Sequence, residues 1–352
     1  MNSPPPVELI PARPQTLWGV PAVVNFALGG TGAGLYVVAA IAAGFSSSAT
    51  LTIASWLGPA LVLAGFLAVA TEAGRPLRGL RVLARVATSW MSRELWIGGI
   101  FIALAAGEFV VPGFAQRFFA AAAAVMLVLA QGLILRRAEG IAAWSVPPLP
   151  LVFIQSALVA GAGHLVLINA GAGTPPGRVV LDVVLALLLF AALVWLAFVT
   201  WSGGAFAEAT RCLREGTPAL VIFGVGYVAP FALITLTMAL GQTAPTVPAL
   251  AGLLMIATQA YAKAFLILKC GQLRPITIPH LKLPNKRERQ ADQNWPDARR
   301  PQCEMSAGSQ REPSGEMTEI FDPLKCRLGR RTTLPPTATQ MARFHRPARR
   351  AS

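Results

Sequence analysis

Thr71-Glu72-Ala73-Gly74-Arg75-Pro76-Leu77-Arg78-Gly79-Leu80-Arg81-Val82-Leu83-Ala84-Arg85, followed by Ser89-Trp90-Met91-Ser92-Arg93-Glu94, separates two long apolar stretches of a 352-residue chain. An arginine costs about 2.5–3.5 kcal/mol at the centre of a membrane span. Arg75, Arg78, Arg81, Arg85 and Arg93 between two apolar segments therefore mark a membrane surface and fix the side that it faces.

Composition agrees. The chain is 54% hydrophobic and 13% charged, whereas soluble domains are about 25% charged. The net charge of +14 is not a nucleic-acid footprint. Up to Gly271 there are 14 basic and 8 acidic residues, and the remainder holds 16 and 8, so much of the excess is in a C-terminal tail. The rest sits mainly in loops, where it orients the protein.

A span needs about 20 apolar residues to cross about 30 Å. Eight are expected, at 20–43, 51–71, 95–111, 118–135, 149–169, 179–200, 219–240 and 247–270, the third being short. Loops after even-numbered spans are basic: the opening stretch, then Arg136 and Arg137, Arg211 and Arg214, and Lys269 with Arg274. Loops after odd-numbered spans hold Arg117, Arg178 or no charge. The positive-inside rule then places both ends in the cytoplasm. The expected fold class is an all-α membrane protein, an eight-helix bundle, since helices satisfy their own backbone in lipid. Residues 1–18 form an N-terminal cytoplasmic segment without the pattern of a cleaved leader. Residues 19–271 form the transmembrane domain, and 272–352 a polar, basic, disordered tail.

Gly30-Thr31-Gly32-Ala33-Gly34 has the look of a phosphate loop, but no strand precedes it. Gly30 and Gly34 instead make a G-x-x-x-G face for close helix approach, as does the run Ala120–Ala124.

Polar groups inside spans are candidates for function, against a plainer role in helix–helix bonding or snorkelling. They are Asn25, Glu72, Glu108, Gln131, His164, Asn169, Asp182 and Lys263. Asp182, one turn from Arg178, is expected to pair with it, and Lys263 to snorkel. Of three histidines only His164 is intramembrane, which excludes a bis-His haem within the bilayer and leaves a His/Met pair open without support. Cys212, Cys270, Cys303 and Cys326 form no C-x-x-C pair, against an iron–sulfur or zinc site in this chain.

The run from Glu72 to Arg78, then Arg81-Val82-Leu83 and Ser89 to Glu94, resembles the anchor subunit of dimethyl sulfoxide reductase, within the broader NrfD/polysulfide-reductase family. Trp18 with Asn25 to Leu35 resembles the first span of that group, particularly of membrane subunits associated with phenylacetyl-CoA:acceptor oxidoreductases. Trp144 to Pro147, Pro150, Phe153, Ser156-Ala157-Leu158 and Gly161 resemble its entry into span five.

The resemblance implies a quinone-reactive subunit of the bacterial cytoplasmic membrane, exchanging menaquinone or ubiquinone and holding no haem or cluster. Its partners would be a four-cluster, ferredoxin-like iron–sulfur subunit and a molybdopterin catalytic subunit. Asn25, Glu72, Arg75, Arg78, Arg93 and Glu94 are the expected quinone-binding and proton-exchanging residues. Glu108, His164 and Asp182 are secondary candidates. The chain departs from the group at Glu72, where anchors carry a nearby His. A small-molecule transporter, with Pro230 breaking span seven, and an anchor without a quinone site are the competing readings.

Overall fold

The computed structural model describes residues 7–71, 80–173, 176–240, 245–274 and 276–278. Glu72, Arg75 and Arg78 lie outside these described residues.

The chain is a multi-pass membrane protein. Seven of its described helices are long and apolar enough to cross a bilayer: α1 (Val20–Ala42), α2 (Ala49–Ala70), α4 (Phe114–Arg136), α5 (Leu149–Gly171), α6 (Arg178–Val199), α7 (Gly216–Ala239) and α8 (Thr246–Leu268). An eighth helix, α3 (Trp90–Gly107), occupies the place expected of span three but is not among the seven. Its 18 residues reach about 27 Å, and its first turn carries Arg93 and Glu94.

Local signals explain the helix starts. Ser48 caps α2 by accepting from the Leu51 amide at 3.0 Å. Pro21 stands in the first turn of α1, where a missing N–H costs nothing. In α7, residues Leu220–Val228 are wound as a π-helix immediately before Ala229–Ala239. Pro230 therefore does not break the span, because the wider turn before it absorbs the lost amide bond.

α1 is the hub, its apolar window 78% buried, with α2, α4, α5 and α8 around it. Lipid tails are as apolar as leucine, so the association depends on close packing. Gly34 faces Gly161 of α5 so tightly that a Cβ on either would strike the other helix's backbone. Gly32 meets Gly58 of α2 in the same way. Gly30, expected to share the helix-approach face with Gly34, has another use: a Cβ there would lie 2.7 Å from Lys263 Nζ.

The residues flanking the bundle are not all irregular. β1 (Val7–Ile10) pairs antiparallel with β4 (Ile276–Ile278), and β2 (Arg13–Pro14) with β3 (Gln272–Leu273). The Gln15 amide continues the ladder to Gly271 O at 2.8 Å. The segment before α1 and the segment after α8 thus meet at one end of the bundle. Arg274 extends the tie, donating from its amide to Gly140 O and from its guanidinium to Ser145 Oγ at 2.9 Å.

Candidate functional site

Four helices each place one polar side chain at the same depth below the end where the segment before α1 meets the segment after α8. Asn25 is five positions in from the start of α1, and Glu94 four positions in from the start of α3. Gln131 and Lys263 are each five positions before the ends of α4 and α8. At 1.5 Å per residue this is a layer about 7 Å deep. All four are buried, with exposures of 4, 5, 0 and 4%.

The layer is a connected constellation. Glu94 Oε1 accepts from Asn25 Nδ2 at 3.0 Å and from Gln131 Nε2 at 3.1 Å. Both donors are neutral amides, and no described cation lies within ion-pair distance of Glu94. Its second oxygen, Oε2, accepts from no described residue. Asn25 Oδ1 and Gln131 Oε1 are buried acceptors without a described donor, a state that costs about 1–3 kcal/mol each. Lys263 donates to Phe26 O at 3.0 Å and lies 5.8 Å from the Phe153 ring centroid. It has no carboxylate partner among the described residues. The absent side chains of Gly29 and Gly30 make the room: a Cβ on Gly29 would lie 2.7 Å from Gln131 Nε2.

A cleft of about 250 Å³ opens onto this layer, lined by Leu17, Trp18, Ala22, Asn25, Phe26, Val69, Met91 and Glu94. Its polar floor is Asn25 and Glu94. Its mouth is apolar, with Leu17 86% and Met91 44% exposed. Trp18 forms a wall, stacked on Phe26 at 5.7 Å and edge-on to Trp144 at 6.3 Å. Gln15 holds Trp18 at both backbone groups, accepting from its amide at 2.8 Å and donating to its carbonyl at 2.9 Å. The volume is slightly below the usual range for whole small-molecule ligands and suits a head group whose remainder lies outside.

The first turn of α3 is fastened to the end of the arginine-rich connection. Ser92 Oγ donates to Val82 O, and Trp96 Nε1 to Leu83 O at 3.0 Å. Arg93 donates to Val86 O and Ala87 O at 2.9 and 2.7 Å and lies over the Trp90 ring. Arg93 therefore faces this loop rather than the cleft, and its neighbour Glu94 turns inward. The structure brings Asn25 and Glu94 together and leaves Arg93 outside.

The secondary candidates are elsewhere. Glu108 pairs with Arg117 at 2.6 Å near the opposite end of the bundle. Arg117 also donates to Phe45 O and Ser47 Oγ, both at 2.8 Å, so the pair locks two loops. His164 Nδ1 bonds Ala160 O of its own helix at 3.0 Å. Asp182 is exposed and forms no ion pair with Arg178, contrary to the expectation from their spacing. Gln131 and Lys263 were named as polar span residues but not placed in a site. The missed signal was their equal distance from the same membrane surface. Among the described residues, no group of three or more His, Cys, Asp or Glu side chains is placed to hold a metal.

Residues 15–130, about a third of the chain, match the family model described as DMSO reductase anchor subunit (DmsC). This matched stretch covers α1 to α3 and most of α4, and it includes both Asn25 and Glu94. The likeness first seen in the arginine-rich motif and the flanking spans is thereby shown for this part of the molecule. No curated protein matches the chain.

Proposed function

We propose that the chain is the membrane anchor of a multi-subunit oxidoreductase and that the Asn25–Glu94 cleft receives the head group of a quinol. The observation that carries this reading is a buried carboxyl group, bonded by two neutral amides and, among the described residues, by no cation, at the floor of a cleft with a lipid-like mouth. A quinol head is an apolar ring with a hydroxyl at each end and a lipid tail. It brings donors to a floor rich in acceptors: Glu94 Oε2, Asn25 Oδ1 and, behind them, Gln131 Oε1. Oxidation of a quinol releases two protons and two electrons. Glu94 accepts a proton from the nearer hydroxyl and returns it to water, a role that needs a titratable group within hydrogen-bond reach. Trp18 and Phe26 hold the ring, and Leu17 and Met91 border the tail.

The electrons leave through an iron–sulfur partner joined to a molybdopterin subunit, as the family resemblance implies. The site lies close to one end of the bundle, so that partner docks on this end, the face carrying Arg136, Arg211, Arg214 and Arg274. By the positive-inside rule this face is cytoplasmic. In this reading α3 is the eighth crossing. The pairing of the segment before α1 with the segment after α8, β1 with β4 and β2 with β3, supports an even number of crossings, which seven spans alone would not give. Glu72, Arg75 and Arg78 belong by sequence to the connection between α2 and α3.

Glu94→Gln tests the assignment. It keeps a side-chain oxygen for the two amides but removes the proton acceptor. Quinol oxidation by the assembled complex should fall on the order of 10²-fold or more, with partner subunits still retained in the membrane. Turnover at the wild-type rate, normalised to assembled complex, would refute the role given to Glu94.

A further inference from the structure

Cys212 lies in the short helix Arg211–Arg214 between α6 and α7, and Cys270 lies two positions beyond the end of α8. Remote in sequence, their sulfurs approach to 2.7 Å, inside ordinary contact between two sulfur atoms. Cys270 is fully buried and Cys212 is partly exposed. Their neighbours fix both backbones. The Cys212 thiol points back to Ala209 O, Leu213 beside it is buried, and the Cys270 amide bonds Phe265 O at 3.1 Å. On the far side of Cys270, Gly271 receives the Gln15 amide, and Gln15 is the residue that holds Trp18.

We propose that Cys212 and Cys270 are a redox-active dithiol that closes reversibly to a disulfide, tying the α6–α7 connection to the end of α8. The oxidant is a small disulfide of the glutathione class. Cys212, the accessible sulfur, attacks it as the thiolate after losing its proton to water. The bond between the oxidant's sulfurs breaks, and one small thiolate leaves and takes up a proton. Cys270 then loses its proton and attacks the Cys212 sulfur of the mixed disulfide. The bond to the small thiol breaks, and that second thiol leaves protonated. The two protein thiols lose two electrons and two protons in total, and the small disulfide gains them. Burial, with Cys212 beside it, pushes the Cys270 thiol up. That suits the second, resolving sulfur, which acts at a distance already closed, and not the first attacker. In a reducing cytoplasm the pair rests as thiols and closes under oxidative load. The tie is independent of whether the cleft binds quinol.

The test uses the full chain in membranes with Cys303→Ser and Cys326→Ser, alongside the wild type. Membranes are treated with glutathione disulfide, alkylated under denaturing conditions and digested without reductant. The expected result is one linked peptide pair containing Cys212 and Cys270, lighter by two hydrogens than the two thiol peptides together. Alkylation of both cysteines should be lost, and dithiothreitol should restore it. Two outcomes would overturn the proposal: both cysteines alkylated after oxidation, or a stable glutathione adduct on Cys212 with Cys270 still alkylated. In the wild type, pairing of either residue with Cys303 or Cys326 in place of the Cys212–Cys270 link would also overturn it.

Discussion

Lys263 poses the sharpest question at the scale of single residues. A buried amino group with one carbonyl acceptor and an aromatic neighbour, and no described carboxylate, is a poor source of stability. Replacing it with Met, of similar length, should leave thermal stability in detergent unchanged or raised. Turnover should nevertheless fall roughly tenfold, about 1.4 kcal/mol of barrier, because the amine holds Phe26 O one position from Asn25. A lower melting temperature with full turnover would make Lys263 purely structural. Arg117 is the contrasting case. Its ion pair with Glu108 stands 14 positions along α3 from Glu94, about 21 Å away. Arg117→Ala leaves a buried carboxylate and should cost about 3–5 kcal/mol, read as a lower melting temperature. Turnover per folded molecule should not change.

At the scale of elements, two glycines of one motif separate packing from function. Gly34→Ala drives a Cβ into the backbone of α5, which cannot give way. It should cost several kcal/mol, about 4 or more, and leave little folded protein by size-exclusion chromatography in detergent. Gly30→Ala meets the tips of two flexible side chains, Lys263 Nζ at 2.7 Å and Gln131 Oε1 at 3.4 Å. This variant should fold but lose affinity for quinol. Equal behaviour of the two would mean that Gly30 merely packs. The sequence spacing made both look alike because a G-x-x-x-G face reports helical period, not what stands opposite. Glu94 was legible through its motif and Asn25 through its position in span one. Gln131 and Lys263 were visible as polar residues, but their convergence depends on four helices descending from one surface, which is a tertiary fact.

For the whole molecule, apolar run length identified the seven described helices long and apolar enough to cross a bilayer, since crossing imposes a length that few other constraints do. The ribbon joining the two ends was not legible. Val7–Ile10 and Ile276–Ile278 are too short and too far apart in sequence for local pattern to pair them. That ribbon sets Gln15 against Gly271, Gln15 fixes Trp18, and Trp18 walls the cleft. The site thus depends on both ends of the membrane domain, although the matched family stretch contains its floor.

Photo-crosslinking with an azido-quinol, kept reduced during labelling, followed by peptide mapping tests the central claim most directly. The cleft assignment predicts label on the peptides carrying Trp18 to Phe26 and Met91 to Glu94, displaced by excess quinol and much reduced in Glu94→Gln. Label confined to other helices, or unchanged by the substitution and by competing quinol, would contradict it.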